Sequence, residues 1–468
     1  MGVAALIDLL SRRMKRENLV AAVVISLAAL FVPIQMASQT WDDHDRSGRY
    51  ACRDFGQNYL MSMQDEGNPI IFTNGDNDTF PLWYNQDVEQ VRTDARVCNL
   101  SYLQTDWYID QMVRPAWKSP SLPISWPRLD YCSGTNEYVE IKPEYKQQVL
   151  DFYKTNPEQA RKQFGDEPFE VGNVLKYWVR ANKYDDENHI IPTDTLYLKI
   201  DKQAVLRSGM MLPKDSTGAV NIPDRMAISL AGKRALYKGD LMLLEMVANS
   251  NWTRPLYVAL TVGSENYMNL GENFIQEGLV NRITPFHTDE SNNFDTEEVY
   301  RNLMTRFKYG GLDKPGLYLD ETVTRMCYTH RRLFASLIKH LLDEGKKDKA
   351  AKAIAYAEKV LPVYNLPYNY MSGGVDFADA YYQLGKPKEA EKILNQMFTN
   401  CSQYVAYYLT LNQTGFNASM RDCMYNFYIM QAMVDVADQY NKAFADRLAS
   451  KVSQYMQIYQ RRGGEFAE

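Results

Sequence analysis

An uncharged, mostly apolar run near the N-terminus is the first strong pattern in the chain. Residues 19–37 contain no charged side chain and only three that are not clearly apolar or small. About 20 consecutive apolar residues are needed to cross the hydrocarbon core of a bilayer. The pattern therefore predicts a transmembrane helix over residues 18–38, preceded by a basic segment over residues 1–17.

Charges of opposite sign flank this run. Basic side chains lie within residues 12–16 and acidic side chains within residues 42–45. The positive-inside rule then places the basic end in the cytoplasm and the body of the protein in the periplasm, as a single-pass inner-membrane protein. A cleaved signal peptide is the alternative, although residues 35–37 (Gln-Met-Ala) make a poor cleavage site. The apolar residues 2–10 resemble the stub of an earlier spanning helix, in which case the chain belongs to a larger membrane protein.

Short β-type runs alternate with helical stretches over residues 39–296. Four runs predict strands, at residues 70–73, 95–100, 195–200 and 256–262. The first two are each followed by a predicted helix, the earlier of which is expected to open at Pro81. This order favours a βαβ unit and a parallel sheet. Residues 114–192 form an insertion of poorer periodicity that the pattern does not place on the sheet.

From residue 297 to residue 468 the pattern is helical throughout. Gly345 is followed by Ala350, and Gly385 by Ala390, which is the five-residue spacing of a TPR helical hairpin. The two matches are 40 residues apart rather than about 34, so a longer loop is expected between them. The sequence predicts a TPR-like all-α domain that follows the α/β domain.

Composition narrows the classes of function. A net charge of −6 argues against nucleic-acid binding, which needs a basic surface. The six cysteines are scattered without a Cys-x-x-Cys pair, so a zinc site is not expected. The sequence also contains no P-loop, Gly-x-Ser-x-Gly, His-Glu-x-x-His or Rossmann glycine motif.

The first candidate site is the segment Asp76, Asn77, Asp78 and Thr79, which follows the predicted strand at residues 70–73. Ligands of parallel sheets bind beyond the carboxyl ends of the strands. Asp76 and Asp78 could also hold a divalent cation through oxygen ligands, although no metal site is assigned. The alternative is that these side chains only form a tight turn and cap the next helix.

The second candidate lies just beyond the apolar run and comprises Asp42, Asp43, His44, Asp45 and Arg46. These groups could bind a cation or a lipid-linked head group, and the alternative is a solvated juxtamembrane collar.

A third candidate comprises Trp107, Tyr108 and Asp110, which could form an aromatic platform for a sugar. The alternative is that the rings belong to the core, with their polar tips hydrogen-bonded.

Three longer strings carry a resemblance to a known family: WDDHDRSGRY at residues 41–50, FTNGDNDTFPLWY at 72–84 and NLSYLQTDWYIDQ at 99–111. They resemble the C-terminal half of a Bacteroidota membrane-protein family of unknown function related to protein O-mannosyltransferases. The resemblance covers nearly the whole chain. It implies a multi-spanning glycosyltransferase that uses a lipid-linked donor and has a periplasmic C-terminal region.

The chain departs from that pattern where the chemistry would occur. In such enzymes the catalytic carboxylate lies in an outer loop between early membrane helices, whereas this chain has one complete span. No catalytic residue is therefore assigned, and whether the chain is itself an enzyme stays open.

Three functions remain open at this point. The first is a periplasmic module of a glycosyltransferase-like membrane protein, which binds acceptor protein or glycan and works with a multi-spanning membrane partner. The second is a non-enzymatic scaffold in cell-envelope assembly, whose TPR-like region holds a protein partner. The third is a stand-alone metal-dependent transferase that uses Asp76 and Asp78.

Overall fold

The computed structural model describes residues 2–14, 18–185, 187–215 and 217–464. Lys15 and Arg16 of the predicted basic segment lie outside these residues, as does the side chain of Asp42. The helices are α1 Gly2–Met14, α2 Asn18–His44, α3 Ala51–Ser62, α4 Asp76–Asp87, α5 Asp106–Met112, α6 Lys146–Thr155, α7 Pro157–Phe164, α8 Val171–Asn173, α9 Lys202–Arg207, α10 Lys238–Asn249, α11 Thr296–Arg301, α12 Glu321–Asp343, α13 Lys347–Val360, α14 Gly374–Gln383, α15 Pro387–Thr410, α16 Gln413–Tyr440 and α17 Lys442–Arg461.

The strands are β1 Ile70–Thr73, β2 Arg96–Asn99, β3 Tyr138–Ile141, β4 Ile190–Ile191, β5 Thr195–Lys199, β6 Arg225–Ser229, β7 Ala235–Tyr237, β8 Leu256–Ala259, β9 Phe274–Gln276 and β10 Val280–Ile283.

Helix α2 contains a stretch that is long and apolar enough to cross a membrane, Leu19–Trp41. Most of its large apolar side chains are exposed, and α1 packs against it. The helix continues to His44, so most of the predicted juxtamembrane cluster lies in its last turns.

The main sheet has the strand order β2-β1-β8-β10-β9. β1 pairs in parallel with both β2 and β8, and β10 pairs antiparallel with β8 and β9. The predicted α/β region with parallel strands is thus confirmed, within a sheet that is mixed. All four residues of β1 are buried, as expected for a central strand covered on both faces.

The remaining predicted strand, at residues 195–200, lies outside this sheet as β5. β5 pairs with β6 as a separate two-stranded sheet, and Tyr197 of β5 also forms an isolated parallel bridge to Glu170. β3 and β4, from the region predicted as an insertion, form a three-stranded sheet with β7. Their partners are distant in the sequence, which is why hydrophobic pattern alone does not place them.

The C-terminal region consists of helical hairpins, as predicted. The turns after α12 and α14 are built alike. Gly345 and Gly385 have φ of 74° and 73°, and the amide after each glycine donates to a carbonyl five residues back. This is a Schellman C-cap, which favours glycine because a side chain at positive φ is strained. Ala350 and Ala390, the small residues of the predicted motif, are fully buried at the close helix crossings.

Helix α3 joins the two regions. It packs against α12, where Nδ2 of Asn58 lies 2.8 Å from Nε2 of His330. Asn58 also exchanges two hydrogen bonds with the backbone of Lys308. The domain boundary at residue 297 stays a prediction. The contacts of α3 with α12 and with Lys308 cross this boundary.

Candidate functional site

The carboxyl end of β1 lies between those of β2 and β8, because all three strands are parallel. The chain turns at Gly75, whose φ of 87° and open surroundings suit glycine, and α4 begins at Asp76. This corrects the expectation that the helix opens at Pro81. Asp76 and Asp78 occupy its first turn, where acidic groups interact favourably with the positive end of the helix dipole, and Pro81 lies inside the helix.

Asp78 is the buried member of this turn. Its Oδ2 accepts hydrogen bonds from the backbone amide of Asn74 at 3.3 Å and from the hydroxyl of Thr261 at 2.9 Å. Its Oδ1 is buried without a hydrogen-bond partner among the described residues. Burial raises the pKa of the Asp78 carboxyl above its ordinary value.

Thr79 points into the protein and is part of a hydroxyl network. Its Oγ1 lies 2.8 Å from that of Thr73, the last residue of β1, and accepts from Nδ2 of Asn99, the last residue of β2, at 2.9 Å. Both partners are buried. Thr79 therefore ties the ends of the two strands to α4, and this is a structural role.

Asp76 and Asn77 are exposed and line two adjoining cavities. The inner cavity is about 280 Å³ and also contains Asp78 and Thr261 in its wall; the outer one is about 710 Å³. We call the two together the strand-end cleft. Its residues outside the predicted segment come from α3 and the segment before it, from α4, from α12 and the residue before it, and from the loops after β1 and β8: Arg46, Arg49, Tyr50, Cys52, Arg53, Phe55, Asn74, Gly75, Phe80, Pro81, Tyr84, Thr261, Asp320, Thr322, Val323, Arg325, Met326 and Thr329.

One wall of the cleft is rich in arginine. Arg46, Arg49 and Arg53 line the outer cavity, and Asp76 and Asp320 are the carboxylates that face them there. The Arg53 guanidinium pairs with Asp54 and stacks on a tyrosine ring, and that of Arg49 stacks on another. This wall can neutralise an anionic group.

The structure thus brings part of the second candidate to the first. Arg46 lies in the same cleft as Asp76. Asp45 lies in a neighbouring cavity, where hydrogen bonds from Ser47 lower the pKa of its carboxyl. Asp43 and His44 are exposed, and His44 Nδ1 lies 2.9 Å from the carbonyl oxygen of Thr40.

Four aromatic rings extend from the cleft across the ends of β1 and β2. The ring centroids of Phe80 and Trp83 are 5.6 Å apart, those of Trp83 and Tyr102 are 6.3 Å apart, and those of Tyr102 and Trp107 are 5.8 Å apart. The first two pairs are stacked, with interplanar angles of 28° and 23°. We call these residues the aromatic strip. Phe80 and Trp107, at its two ends, are about half exposed.

The third candidate is divided by the structure. Trp107 belongs to the aromatic strip, whereas Tyr108 is buried and its hydroxyl accepts a hydrogen bond from the amide of Asn99 at 2.8 Å. Asp110 accepts from Arg128 at 3.1 Å and from Tyr131 at 2.9 Å. Trp107 is therefore available to a ligand, and the other two have structural partners.

Sequence reasoning missed Phe80, Trp83 and Thr261. The two rings are three residues apart on α4, which places them on one helix face, and that spacing could have indicated them. Thr261 lies two residues beyond the end of β8 at Ala259, but the strand predicted from the sequence extends to residue 262 and includes Thr261, so the pattern did not mark it.

The described residues hold no group of three or more His, Cys, Asp or Glu side chains that could hold a metal ion. Asp76 and Asp78 differ in environment, since one is exposed and the other is buried and hydrogen-bonded. The divalent cation considered from the sequence stays untested.

These features define a class: a protein with one apolar N-terminal helix of membrane-spanning length, a mixed α/β body and a region of helical hairpins, with a cleft at the ends of parallel strands. Residues 52–302, more than half of the chain, match the family model of TMEM260-associated domain 2. The chain belongs to this TMEM260-related family. The match names neither Bacteroidota nor a mannosyltransferase. Searches of curated proteins and of solved structures gave no match.

Proposed function

We propose that this chain is the periplasmic C-terminal module of a glycosyltransferase-like membrane protein related to protein O-mannosyltransferases, and that it binds glycan and acceptor protein. The family match and the resemblance of residues 41–50, 72–84 and 99–111 support this reading. The transfer chemistry would lie with a multi-spanning membrane partner, because no catalytic residue is assigned here.

The aromatic strip carries the proposal for glycan. A sugar ring presents flat C–H faces, which pack against exposed aromatic rings, and hydroxyl groups, which need hydrogen-bonding partners. Phe80 and Trp107 offer exposed ring surface. Asn74 and Ser101, joined by a 2.5 Å hydrogen bond, place polar groups at the same strand ends. A strip of several rings suits a chain of sugars better than a single one.

The position of the cleft fits work at a membrane surface. Arg46 follows Trp41, the end of the apolar stretch, by five residues, so the two Cα atoms are within about 18 Å of each other in any conformation. Arg46 can therefore reach a head group at the bilayer surface.

A non-enzymatic scaffold in cell-envelope assembly is the second candidate. The stacked helical hairpins of the C-terminal region favour it, because such repeats present extended surfaces to partner proteins.

The test is binding of neutral manno-oligosaccharides to the full chain in nanodiscs, measured by calorimetry. Trp107→Ala should weaken binding roughly tenfold, since it removes an exposed ring of the strip. Trp117→Ala is the matched control, because Trp117 is 51% exposed and Trp107 is 50% exposed, and Trp117 lies outside the strip.

Binding that is equally strong in the Trp107→Ala variant, or absent in the native chain, would overturn the glycan proposal and favour the scaffold. Thermal melting of both variants checks that the fold is kept.

A further inference from the structure

A second groove lies in the helical region, away from the strand-end cleft. It has a volume of about 390 Å³ and runs between the loop after α13 and the facing sides of α15 and α16. The loop is the longer connection that separates the two hairpin motifs. The lining residues are Tyr328, Pro367, Tyr368, Asn369, Tyr370, Met371, Met397, Asn400, Cys401, Tyr404, Tyr425, Asn426 and Ile429. We call this the tyrosine groove.

The tyrosine groove is uncharged. None of its lining residues carries a charge, although 24% of the chain is Asp, Glu, Lys or Arg. Along the chain, residues 393–420 are 28 consecutive positions without a charged side chain. They include most of α15, and a solvated helix face normally carries charges. Charged residues are depleted where an interface core forms, and tyrosine and methionine are enriched there.

Two of its five tyrosines, Tyr404 and Tyr425, are exposed, whereas Tyr368 is buried. Tyr404 is 57% exposed and Tyr425 is 45% exposed. The Tyr425 hydroxyl lies 3.2 Å from Sδ of Met371, and the hydroxyls of Tyr370 and Tyr428 lie 3.3 Å apart. Rings that are already ordered lose little conformational entropy when a partner binds.

The floor and walls differ in chemistry. Met371, Met397 and Ile429 supply apolar, adaptable surface, which suits an aliphatic or aromatic side chain. Asn400 and Asn426 supply amides on the wall. Asn426 lines the groove, and its Nδ2 donates to the carbonyl oxygen of Asp422 at 2.8 Å. An asparagine can both donate to and accept from the backbone of an extended peptide.

We propose that the tyrosine groove binds an extended, uncharged polypeptide segment and places one apolar side chain on the methionine floor. This deepens the proposed function, on which it rests, by naming the contact with the acceptor protein. At Met371, Met397 and Ile429 an apolar side chain is a better occupant than a sugar, because sugar hydroxyl groups placed there would lack hydrogen-bonding partners. A charged peptide would lose hydration in a groove that offers no opposite charge.

The experiment is selection of a random 12-residue peptide phage library on the full chain in nanodiscs. The enriched peptides should be depleted of Asp, Glu, Lys and Arg and should share an apolar position. Synthetic copies of the best peptides should bind at least tenfold more weakly to Asn400→Asp and to Tyr404→Ala. Gln403→Glu adds a charge on the same helix outside the groove lining, and Tyr184→Ala removes an exposed tyrosine elsewhere; both should bind like the native chain.

No enrichment, enrichment of charged peptides, or binding that survives Asn400→Asp and Tyr404→Ala would each overturn the peptide site. So would manno-oligosaccharide binding that is lost in Tyr404→Ala, since the groove would then hold glycan. The Trp107→Ala experiment is independent of this groove, so failure here leaves the strand-end glycan proposal to its own test.

Discussion

Asp78 on α4 and His330 on α12 are buried polar side chains. Asp78 keeps Oδ1 without a hydrogen-bond partner among the described residues, and it lies in the wall of the strand-end cleft. His330 is enclosed by aromatic rings where α3 meets α12. An unsatisfied buried polar atom costs free energy, so such positions need a reason to persist.

We predict different outcomes for the two carboxylates of the α4 turn. Asp76→Asn should change the free energy of unfolding by less than about 0.5 kcal/mol, because Asp76 is exposed. Asp78→Asn should cost about 1 kcal/mol through its altered hydrogen bonds and should weaken manno-oligosaccharide binding more than Asp76→Asn does. Urea titration and calorimetry measure the two effects.

The Asp76→Asn and Asp78→Asn substitutions, combined in a double variant, also test whether a divalent cation binds. One exposed and one buried, hydrogen-bonded carboxylate make a weak cation site, so millimolar Mg²⁺ or Mn²⁺ should leave the melting temperature unchanged. A rise in the native chain that disappears in the double variant would establish a metal site at Asp76 and Asp78.

We predict that the folded protein loses stability in acid because His330 is buried. Burial lowers the pKa of His330 from 6.5 to about 4, so between these values the unfolded chain binds a proton that the folded chain does not. Stability from this group is complete above about pH 6.5 and falls by about 3 kcal/mol as the pH drops to about 4. In His330→Gln, unfolding measured over this range should depend less steeply on pH. The exposed His287→Gln serves as the control, and an unchanged slope in His330→Gln would contradict the assignment.

At the scale of elements, local chemistry decides where the hairpins turn, and long-range pairing decides the sheets. The two Schellman turns after α12 and α14 depend only on nearby residues, because each is formed by a glycine and by hydrogen bonds within the same turn of backbone. β10 pairs with β8 and β9 pairs with β10, and these two short strands were not predicted from the sequence. The start of α4 at Asp76 likewise depends on the turn at Gly75 rather than on Pro81.

Gly385→Ala should destabilise the chain by about 1 kcal/mol. The glycine has φ of 73°, which an alanine adopts with strain, and no atom lies within 4 Å of an added Cβ, so the cost is conformational. Gly48→Ala is the control, since its surroundings are also open and its φ is not positive. Equal unfolding midpoints in urea for the two variants would show that the turn does not need glycine.

For the whole molecule, the arrangement of the anchor, the cleft and the hairpins matters most. The strand-end cleft has walls from the α/β body, from α12 and from the segment just after α2. The tyrosine groove lies on the helical region at a separate place. Under the proposed function, the strand-end cleft would hold a glycan while the tyrosine groove holds a polypeptide.

The orientation of the body is a prediction that protease access can test. Proteinase K added to spheroplasts should digest the region after Gln39, because the basic residues before the apolar run favour the cytoplasm. A cytoplasmic marker protein should stay intact in the same sample. Full protection of the body while the inner membrane is intact would place it in the cytoplasm and would overturn the periplasmic proposal.

The sequence by itself determined the features that depend on neighbouring residues. These are the apolar helix, the buried strands β1, β2 and β8, and the glycine turns of the hairpins, because hydrophobic periodicity and backbone preference act over a few residues. Only the tertiary structure decided the mixed sheet, the burial of Asp78, the meeting of Arg46 with Asp76, and the aromatic strip. Each of these depends on contacts between separate elements, and no local pattern encodes which surfaces will pack together.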